Sequence, residues 1–268
     1  MDKILIVIPV INLWDAYTIH AMESIAANVC DVPFEVLIVN QASTDETVDK
    51  ATDFGNRKMP GRVHVLTNEK NTGCAGGWNA GVQYALDNGF THIGIFNNDI
   101  LVGPGAIKAM YDRLKREPTV LMTSAVDTIK ELAVPQFVLN PDHDVNKKPD
   151  TEAPHPNFSC FMITKETIEK VGYFDEGFFP AYFEDNDYHY RLKLAGGTNC
   201  AIANTLAVFI HYGSRTQNQA VGAPIVPGPS FENNRNYFIS KWGGAPGSEK
   251  YTIPFNDSTK DLTYAKRS

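Results

Sequence analysis

The feature that most constrains the fold is a regular alternation of apolar runs and helical segments in the first half of the chain. Ile4 to Val10 (ILIVIPV) and Phe34 to Val39 (FEVLIV) are continuously apolar, which is typical of parallel strands buried on both faces. Two shorter runs, Val63 to Leu66 and His92 to Phe96, predict further strands. Helices are predicted over residues 15–29, from a Ser43/Glu46 capping-box pattern to Phe54, from the glycine-rich turn 71–81 to Asp87, and after Pro104. This rhythm predicts an α/β fold, with a Rossmann-like, mostly parallel central sheet flanked by helices.

The second half of the chain is less regular and predicts a smaller portion attached to the sheet. Its segments predict strands over 158–163, 198–203 and 205–210, and helices over 165–171, 184–195 and 231–242. Residues 127–157 and 212–230 are rich in proline, glycine and polar residues, so we expect loops there. The second of these loops is long enough to close over a bound ligand. A polar tail follows residue 243.

Composition and charge exclude several classes of protein. The chain has 268 residues with 15 Phe and 11 Tyr, which is far too aromatic for a disordered protein. Its net charge of −7 disfavours a dedicated nucleic-acid binder. The four cysteines, Cys30, Cys74, Cys160 and Cys200, form no CxxC pair, so we expect free thiols in a reducing compartment.

Membrane insertion and secretion are also disfavoured by the sequence. No apolar stretch approaches the roughly 20 residues that cross a bilayer. The apolar run near the N-terminus is broken by Pro9 and is not followed by a cleavage-site pattern. We therefore expect a cytoplasmic protein, either free or attached peripherally at the inner membrane surface.

Polar residues follow three of the predicted strands at the point where each strand ends. They are Asn12, the segment Asn40 to Asp45, and Asn97-Asn98-Asp99. Ligands of parallel α/β sheets bind beyond the carboxyl ends of the strands, so these clusters predict a site on one rim. Asp99 there is either a turn former or a ligand that holds Mg²⁺ or Mn²⁺ against a diphosphate.

Three other segments have both a structural and a functional interpretation. The glycines of 71–81 either allow tight packing or let the backbone approach a sugar nucleotide, although GxGxxG and P-loop patterns are absent from the sequence. The acids of FEDND (183–187) either complement a helix dipole or, if buried, supply a general base. His211 ends an apolar strand and is either structural or a ligand.

The ordered motifs resemble those of family 2 glycosyltransferases. They are IPVIN, VNQASTDET, NTGCAGGWNAG, FNNDILV, GYFDEGFFPAYFEDNDYHYRL and HYGSRT, and they span residues 3–243. The resemblance is strongest to the rhamnosyl- and galactofuranosyl-transferase branch of polysaccharide biosynthesis. It implies a GT-A fold in a single domain over 1–243, with a nucleotide-sugar half (1–99), an acceptor and catalytic half (100–230) and a C-terminal helix (231–243). Residues 244–268 would be a tail.

The same resemblance implies roles for individual residues in an inverting, single-displacement transfer. Asp185 would be the catalytic base in an acidic pair with Glu184. Asp99 and His211 would bind a divalent cation, Mn²⁺ or Mg²⁺. The donor, a UDP-, dTDP- or GDP-linked sugar, would be held by Pro9, Asn12, Asn40, Asp45, Gly76, Gly77, Asn79, Asn97 and Asn98.

The sequence departs from the family pattern at Asn40, where many relatives have aspartate. An asparagine accepts from a base imide N–H without charge assistance, so the nucleotide base stays open. The acceptor alternatives are a glycan, a lipid-linked sugar, another hydroxyl compound or, against the acidic net charge, a modified nucleic-acid base. Two other classes compete with a transferase. A sugar nucleotidyltransferase would need a basic glycine-rich loop that INLWDAYTIH lacks, and an inactive nucleotide-sugar- or glycan-binding module would not need Asp99, Asp185 and His211 together.

Overall fold

A computed structural model describes residues 1–127, 150–152, 156–197, 200–213 and 229–265. The first half of the chain forms the predicted parallel strands, β1 (Ile4–Val10), β2 (Phe34–Asn40), β3 (Val63–Thr67) and β4 (His92–Phe96). Strand β1 lies between β2 and β4, and β3 pairs with β2. Most of the two segments predicted as loops, 127–157 and 212–230, lies outside the described residues.

The second half extends the same sheet with strands that run in both directions. These are β5 (Ile100–Val102), β6 (Met122–Asp127), β7 (Asp150–Glu152), β8 (Cys160–Thr164) and β9 (Ala201–His211). The strand order across the described part of the sheet is β3-β2-β1-β4-β8-β6-β9-β5, with β7 also paired to β9. Strand β9 runs parallel to β6 and antiparallel to β5, so the carboxyl end of β9 lies beside the start of β5.

Helices cover both faces of the sheet. They are a π-helix (Trp14–Thr18), α1 (Ile19–Ala26), α2 (Thr47–Lys58), α3 (Gly73–Asp87), α4 (Ala106–Arg116), α5 (Lys165–Val171), α6 (Glu184–Gly196), α7 (Pro229–Trp242) and a 3₁₀ turn (Pro254–Asn256). Alternate residues of β1 enter different cores: Ile4, Ile6 and Ile8 pack on one face, and Leu5 and Val7 on the other. A strand buried on both faces explains why the run is apolar throughout.

Several predicted elements differ from the structure in their boundaries. The prediction of a Ser43/Glu46 capping box is wrong, because α2 begins at Thr47 without a side-chain cap. Ser43 Oγ instead accepts from the Asn12 N–H at 2.8 Å. The prediction of a glycine-rich turn over 71–81 is also wrong, because α3 already begins at Gly73. The two strands predicted over 198–210 are one strand, β9, which pairs with β6 across a register shift at Ala125/Val126.

The C-terminal segment packs on α6 and α7. Phe238 and Trp242 of α7 are fully buried within the chain itself. Beyond α7, the N–H groups of Lys250 and Tyr251 donate to the Trp242 carbonyl, and the Tyr190 hydroxyl of α6 donates to the Tyr251 carbonyl. The predicted polar tail therefore contributes contacts to the fold as far as the described residues extend. Among those residues, none of the helices combines the length and apolar character that crossing a membrane requires.

Candidate active site

A cavity of about 520 Å³ opens where β1 and β4 end, between the N-termini of α3 and α6. Its wall includes residues from distant parts of the chain: Pro9, Gln41, Gly73, Cys74, Trp78, Asn97, Asn98, Asp99, Phe158, Ser159, Tyr182, Glu184, Asp185 and His211. The site predicted at the carboxyl rim of the parallel strands therefore coincides with a cavity. Glu184 and Asp185 of α6 and His211 also line it.

The sheet brings Asp99 and His211 together. Asp99 precedes β5, His211 ends β9, and Ile100 is the register partner of His211 in the antiparallel pair. His211 Nε2 lies 3.2 Å from Asp99 Oδ1, and the Tyr212 N–H donates to the Asp99 carbonyl at 3.0 Å. The Asp99 side chain is almost fully buried. Proximity that the sequence could not establish is thus a direct result of strand pairing.

The Asp99–His211 pair fits two positions in the coordination of a divalent cation. Two ligands at right angles on an octahedral ion with bonds of about 2.1 Å lie about 3.0 Å apart, close to the observed separation. His211 Nε2 makes no hydrogen bond to any described residue, which leaves its lone pair for a cation. No cluster of three or more His, Cys, Asp or Glu suited to a metal occurs within the described residues. Phosphate oxygens or water would have to supply the other ligands.

Glu184 and Asp185 enter the cavity from the first turn of α6. Tyr182 and Phe183 immediately before the helix have φ of 78° and 73°, a left-handed backbone that non-glycine residues rarely adopt and that is concentrated at functional sites. Burial and the neighbouring Asp185 raise the pKa of Glu184 to about 8. Burial also raises the pKa of Asp185, against the opposing hydrogen bond from the Asn186 N–H.

The third carboxylate of FEDND has a structural role. Asp187 is fully buried away from the cavity, where it accepts from Arg191 at 2.9 Å, Lys241 at 2.7 Å and Trp242 Nε1 at 2.8 Å. Burial alone would raise the pKa of Asp187, but the charges of Lys241 and Arg191 outweigh burial and lower it. Lys241 also binds Asp175 at 2.7 Å. This buried network joins α6, α7 and the segment that precedes α6.

Cys74 is a cavity residue that the sequence interpretation did not assign to the site. Its backbone N–H donates to the Pro180 carbonyl at 2.8 Å, which ties the start of α3 to the segment before α6. The thiol shares a hydrogen bond with Glu184. Burial and the charges of Glu184, Asp185 and Asp99 raise the pKa of Cys74 well above its ordinary value. The thiol therefore lies among the three carboxylates of the site and stays protonated.

Three predicted donor residues, Asn12, Asn40 and Asp45, connect the loops that follow β1 and β2. Asn12 Oδ1 accepts from the Thr44 N–H at 2.8 Å, and Asp45 Oδ2 accepts from the Leu13 N–H at 2.9 Å. Asn40 is buried, with Oδ1 accepting from the Ser43 N–H at 3.0 Å. None of the three is among the described residues that line the cavity. Their part in donor binding stays a prediction.

The predicted donor residues of α3 pack the helix against its neighbours. A Cβ on Gly77 would lie 2.1 Å from Gln41 Nε2, and one on Gly76 would lie 2.6 Å from the Thr72 side chain. Asn79 is buried and donates to the Phe174 carbonyl and to Glu176 at 2.8 Å each. These residues fix the position of α3 beside the cavity, and their contact with a donor stays a prediction.

Gln41 is a second cavity residue that the sequence interpretation missed. Its Oε1 accepts from Asn68 Nδ2, the Thr72 N–H and the Thr72 hydroxyl at 3.0–3.1 Å, and its Nε2 donates to the Gly73 carbonyl at 3.3 Å. The side chain thereby holds the start of α3 against the end of β2. The available signal was its position in the polar segment Asn40 to Asp45, two residues beyond the predicted strand.

The remaining predicted donor residues, Pro9, Asn97 and Asn98, all line the cavity. The Asn97 N–H donates to the Ser159 carbonyl at 2.8 Å, and Asn98 Nδ2 donates to the Thr18 hydroxyl at 3.1 Å. These bonds fix the segment that leads into Asp99.

The fold and the cavity define a protein with the GT-A fold of nucleotide-sugar glycosyltransferases. The structure is similar to that of GalNAc-T7 with UDP, GalNAc and Mn²⁺, with a TM-score of 0.62 at 13% identity over 90% of this chain and 48% of that one. It is also similar to TarS 1-349 of S. aureus in complex with UDP-GlcNAc, with a TM-score of 0.59 at 16% identity over 88% of this chain and 65% of that one. A third similar structure is the mannosyltransferase PcManGT of Pyrobaculum calidifontis in complex with GDP-Man and Mn²⁺. Its TM-score is 0.56 at 16% identity over 86% of this chain and 67% of that one.

Within that class, the chain belongs to glycosyl transferase family 2, whose family model matches residues 5–172. A curated relative, the low-salt glycan biosynthesis hexosyltransferase Agl10 of Haloferax volcanii, is 26% identical over 147 residues. That match covers 49% of this chain and 46% of the relative, so the chain matches about half of the relative's length. The resemblance to family 2 glycosyltransferases that was inferred from the ordered motifs is confirmed.

Proposed function

We propose that this protein is an inverting glycosyltransferase that moves a sugar from a nucleotide-diphosphate donor to an acceptor hydroxyl. The supporting observation is that one cavity contains both the Asp99–His211 pair and the Glu184–Asp185 pair. A transfer of this kind needs a group that faces the leaving diphosphate and a base that faces the acceptor. The two pairs can divide these tasks because they come from different elements, the β5–β9 strand pair and the start of α6.

Asp99 and His211 would hold a divalent cation, Mn²⁺ or Mg²⁺. Two of the similar structures, GalNAc-T7 and PcManGT, contain Mn²⁺. When bound, such a cation neutralises negative charge that builds on a departing diphosphate. The pair supplies one anionic oxygen and one imidazole nitrogen, and their separation of 3.2 Å supports this assignment.

Asp185 is the proposed catalytic base. It takes the proton of the acceptor hydroxyl while that oxygen forms a bond to the anomeric carbon. The bond from the anomeric carbon to the diphosphate oxygen breaks in the same step, and its electron pair leaves with the nucleotide. Attack from the face opposite the leaving group inverts the anomeric centre. The half-buried carboxylate of Asp185 has a raised pKa, which makes it a stronger base than an exposed aspartate.

The proposed donor is a UDP-, dTDP- or GDP-linked sugar, since two of the similar structures contain UDP-GlcNAc and GDP-Man. Pro9, Asn97 and Asn98 line the same cavity as Asp99, which supports the proposal that they contact the donor. A glycan, a lipid-linked sugar or another hydroxyl compound is the proposed acceptor. Action in the cytoplasm, free or at the inner membrane surface, stays a prediction.

Calorimetric titration with UDP, dTDP and GDP, each with and without Mn²⁺, tests the proposed donor site. We expect tight, Mn²⁺-dependent binding of one nucleotide. Absence of binding by all three would contradict the proposal for the donor site, and Asn40 would then be the first residue to examine.

Asp185→Asn tests the base. Because a positioned general base contributes about 10²–10⁴-fold, we expect transfer to fall by that factor while nucleotide binding is kept. Asn186→Ala, on the same turn, is the matched control. Asp187→Asn is not suitable as a control, because it breaks the buried network with Arg191 and Lys241. An Asp185→Asn variant that transfers sugar at the wild-type rate would reassign the base.

A further inference from the structure

We propose that Glu184 works as a neutral carboxylic acid that keeps the negative charge of the α6 pair on Asp185. Glu184 is then a positioning residue and not a second base. The inference rests on the proposed function, because it assigns the division of labour within the same acidic pair. It follows from the burial of Glu184, its hydrogen bonding and the charges around it.

The surroundings of Glu184 disfavour a second negative charge. The residue is 5% exposed, and its Oε2 has no hydrogen-bond partner among the described residues. Neither Glu184 nor Asp185 forms a salt bridge with a described lysine, arginine or histidine. Asp187, two residues further along the same helix, differs in this respect because it binds both Arg191 and Lys241. A buried charge without a cation is costly, so one carboxylate of the pair must stay protonated.

The groups that face Glu184 decide which carboxylate keeps the proton. Asp185 adjoins it on α6, and the Cys74 thiol of α3 shares a hydrogen bond with it. Glu184 is the more buried of the two, while Asp185 is half-buried and accepts from the Asn186 N–H at 2.8 Å. The pKa of Glu184 agrees with this assignment, since burial and the negative charge of Asp185 raise it to about 8. At neutral pH the pair therefore carries one negative charge, on Asp185.

This arrangement has a consequence for substrate binding. The cavity must accept an anionic diphosphate near Asp99 while a charged base waits at Asp185. An ionised Glu184 would add a second negative charge beside that base and increase the repulsion of the donor. We therefore expect donor use to weaken when the pH rises past about 8.

Glu184→Gln is the informative variant, since it mimics the neutral acid in size and hydrogen bonding. We expect it to transfer sugar at pH 7 about tenfold faster than Glu184→Ala, which removes the neutral hydrogen-bonding group altogether. We also expect it to lose the alkaline decline of kcat/KM for the donor that wild type shows. Glu232→Gln, an exposed carboxylate on α7, is the matched control and should keep the wild-type profile. A residue with only a structural role would not change the pH profile.

Two results would overturn the proposal. A Glu184→Gln variant slowed more than about 100-fold at pH 7 would make Glu184 a base. The second test needs no turnover: ¹³C NMR titration of glutamate-labelled protein, with the Glu184 signal assigned by its loss in Glu184→Gln. We expect a midpoint near 8, and a midpoint below about 5 would refute a neutral Glu184. If the NMR midpoint is high but wild type transfers no sugar, the proposed function fails and the protonation state stands.

Discussion

Replacing Lys241 by methionine keeps most of the side-chain length but removes the ammonium group that joins Asp175 to Asp187. In the folded protein this lysine is 0% exposed, and its Nζ lies 2.7 Å from an oxygen of each aspartate. With Arg191, the network holds two negative and two positive charges, so it is neutral as a whole. The substitution leaves two buried carboxylates with one cation.

Removing one partner of a buried ion pair costs about 3–5 kcal/mol, because the remaining charge stays buried without compensation. Asp187 keeps Arg191 and Trp242 as donors. Asp175 keeps the Tyr237 hydroxyl at 3.0 Å and the Gly177 N–H at 2.9 Å, which are both neutral donors. We therefore expect Lys241→Met to lower the free energy of unfolding by about 4 kcal/mol at pH 7. That is a large share of the 5–15 kcal/mol of a typical domain.

Urea unfolding followed by tryptophan fluorescence measures this loss, and a double-mutant cycle identifies its cause. Asp175→Asn removes the carboxylate that Lys241 neutralises, so the Lys241→Met/Asp175→Asn protein should be more stable than the sum of the single effects by about 2 kcal/mol. The electrostatic account would be refuted if Lys241→Met lowered the free energy of unfolding by less than about 1 kcal/mol. Strictly additive effects in the double variant would refute it as well. Loss of the same stability in Lys241→Arg would indicate a steric cause.

Three other outcomes are expected. By calorimetry, Asp99→Ala should lose the Mn²⁺-dependent tightening of nucleotide binding that Asp185→Asn retains. If Mn²⁺ still tightens nucleotide binding to Asp99→Ala, other ligands hold the cation. Gly77→Ala should cost about 1–3 kcal/mol in urea unfolding, because the new methyl displaces Gln41 from its bonds with Thr72; an unchanged midpoint would show that Gln41 moves freely. Glu184 binds a proton in the folded state between about pH 4.5 and 8 that it loses in the unfolded state. The free energy of unfolding of the wild-type protein should therefore fall, by up to roughly 5 kcal/mol, as the pH rises through that range. Thermal unfolding of Glu184→Gln should show no such trend.

Local pattern was sufficient for the parallel half of the fold. Strands such as β1 are buried on both faces, so a continuous apolar run identifies them without knowledge of their neighbours. The family resemblance carried by the motif order also implied a shared site for Asp99, Glu184, Asp185 and His211. The four residues line one cavity, and their roles stay a prediction.

Long-range contacts explain what local pattern missed. Ser43 resembles a helix cap, but its hydroxyl is taken by the Asn12 N–H from the loop after β1. The glycines of α3 resemble a turn, yet they are small because Gln41 and β1 pack against the helix; a Cβ on Gly81 would lie 2.1 Å from a Val7 methyl. Asp187 resembles its acidic neighbours, but its partner Lys241 lies far along the chain.

The pairing of β5 with β9 also determines when the site can form during synthesis. The parallel strands β1 to β4 and Asp99 all lie within the first hundred residues, whereas His211 follows more than a hundred residues later. A growing chain can therefore begin to pair the first sheet strands while the Asp99–His211 pair is still incomplete. Because this contact closes a long loop, it belongs to the slow, high-contact-order part of folding. A nascent or C-terminally truncated chain that ends before β9 would hold a partial sheet without its histidine.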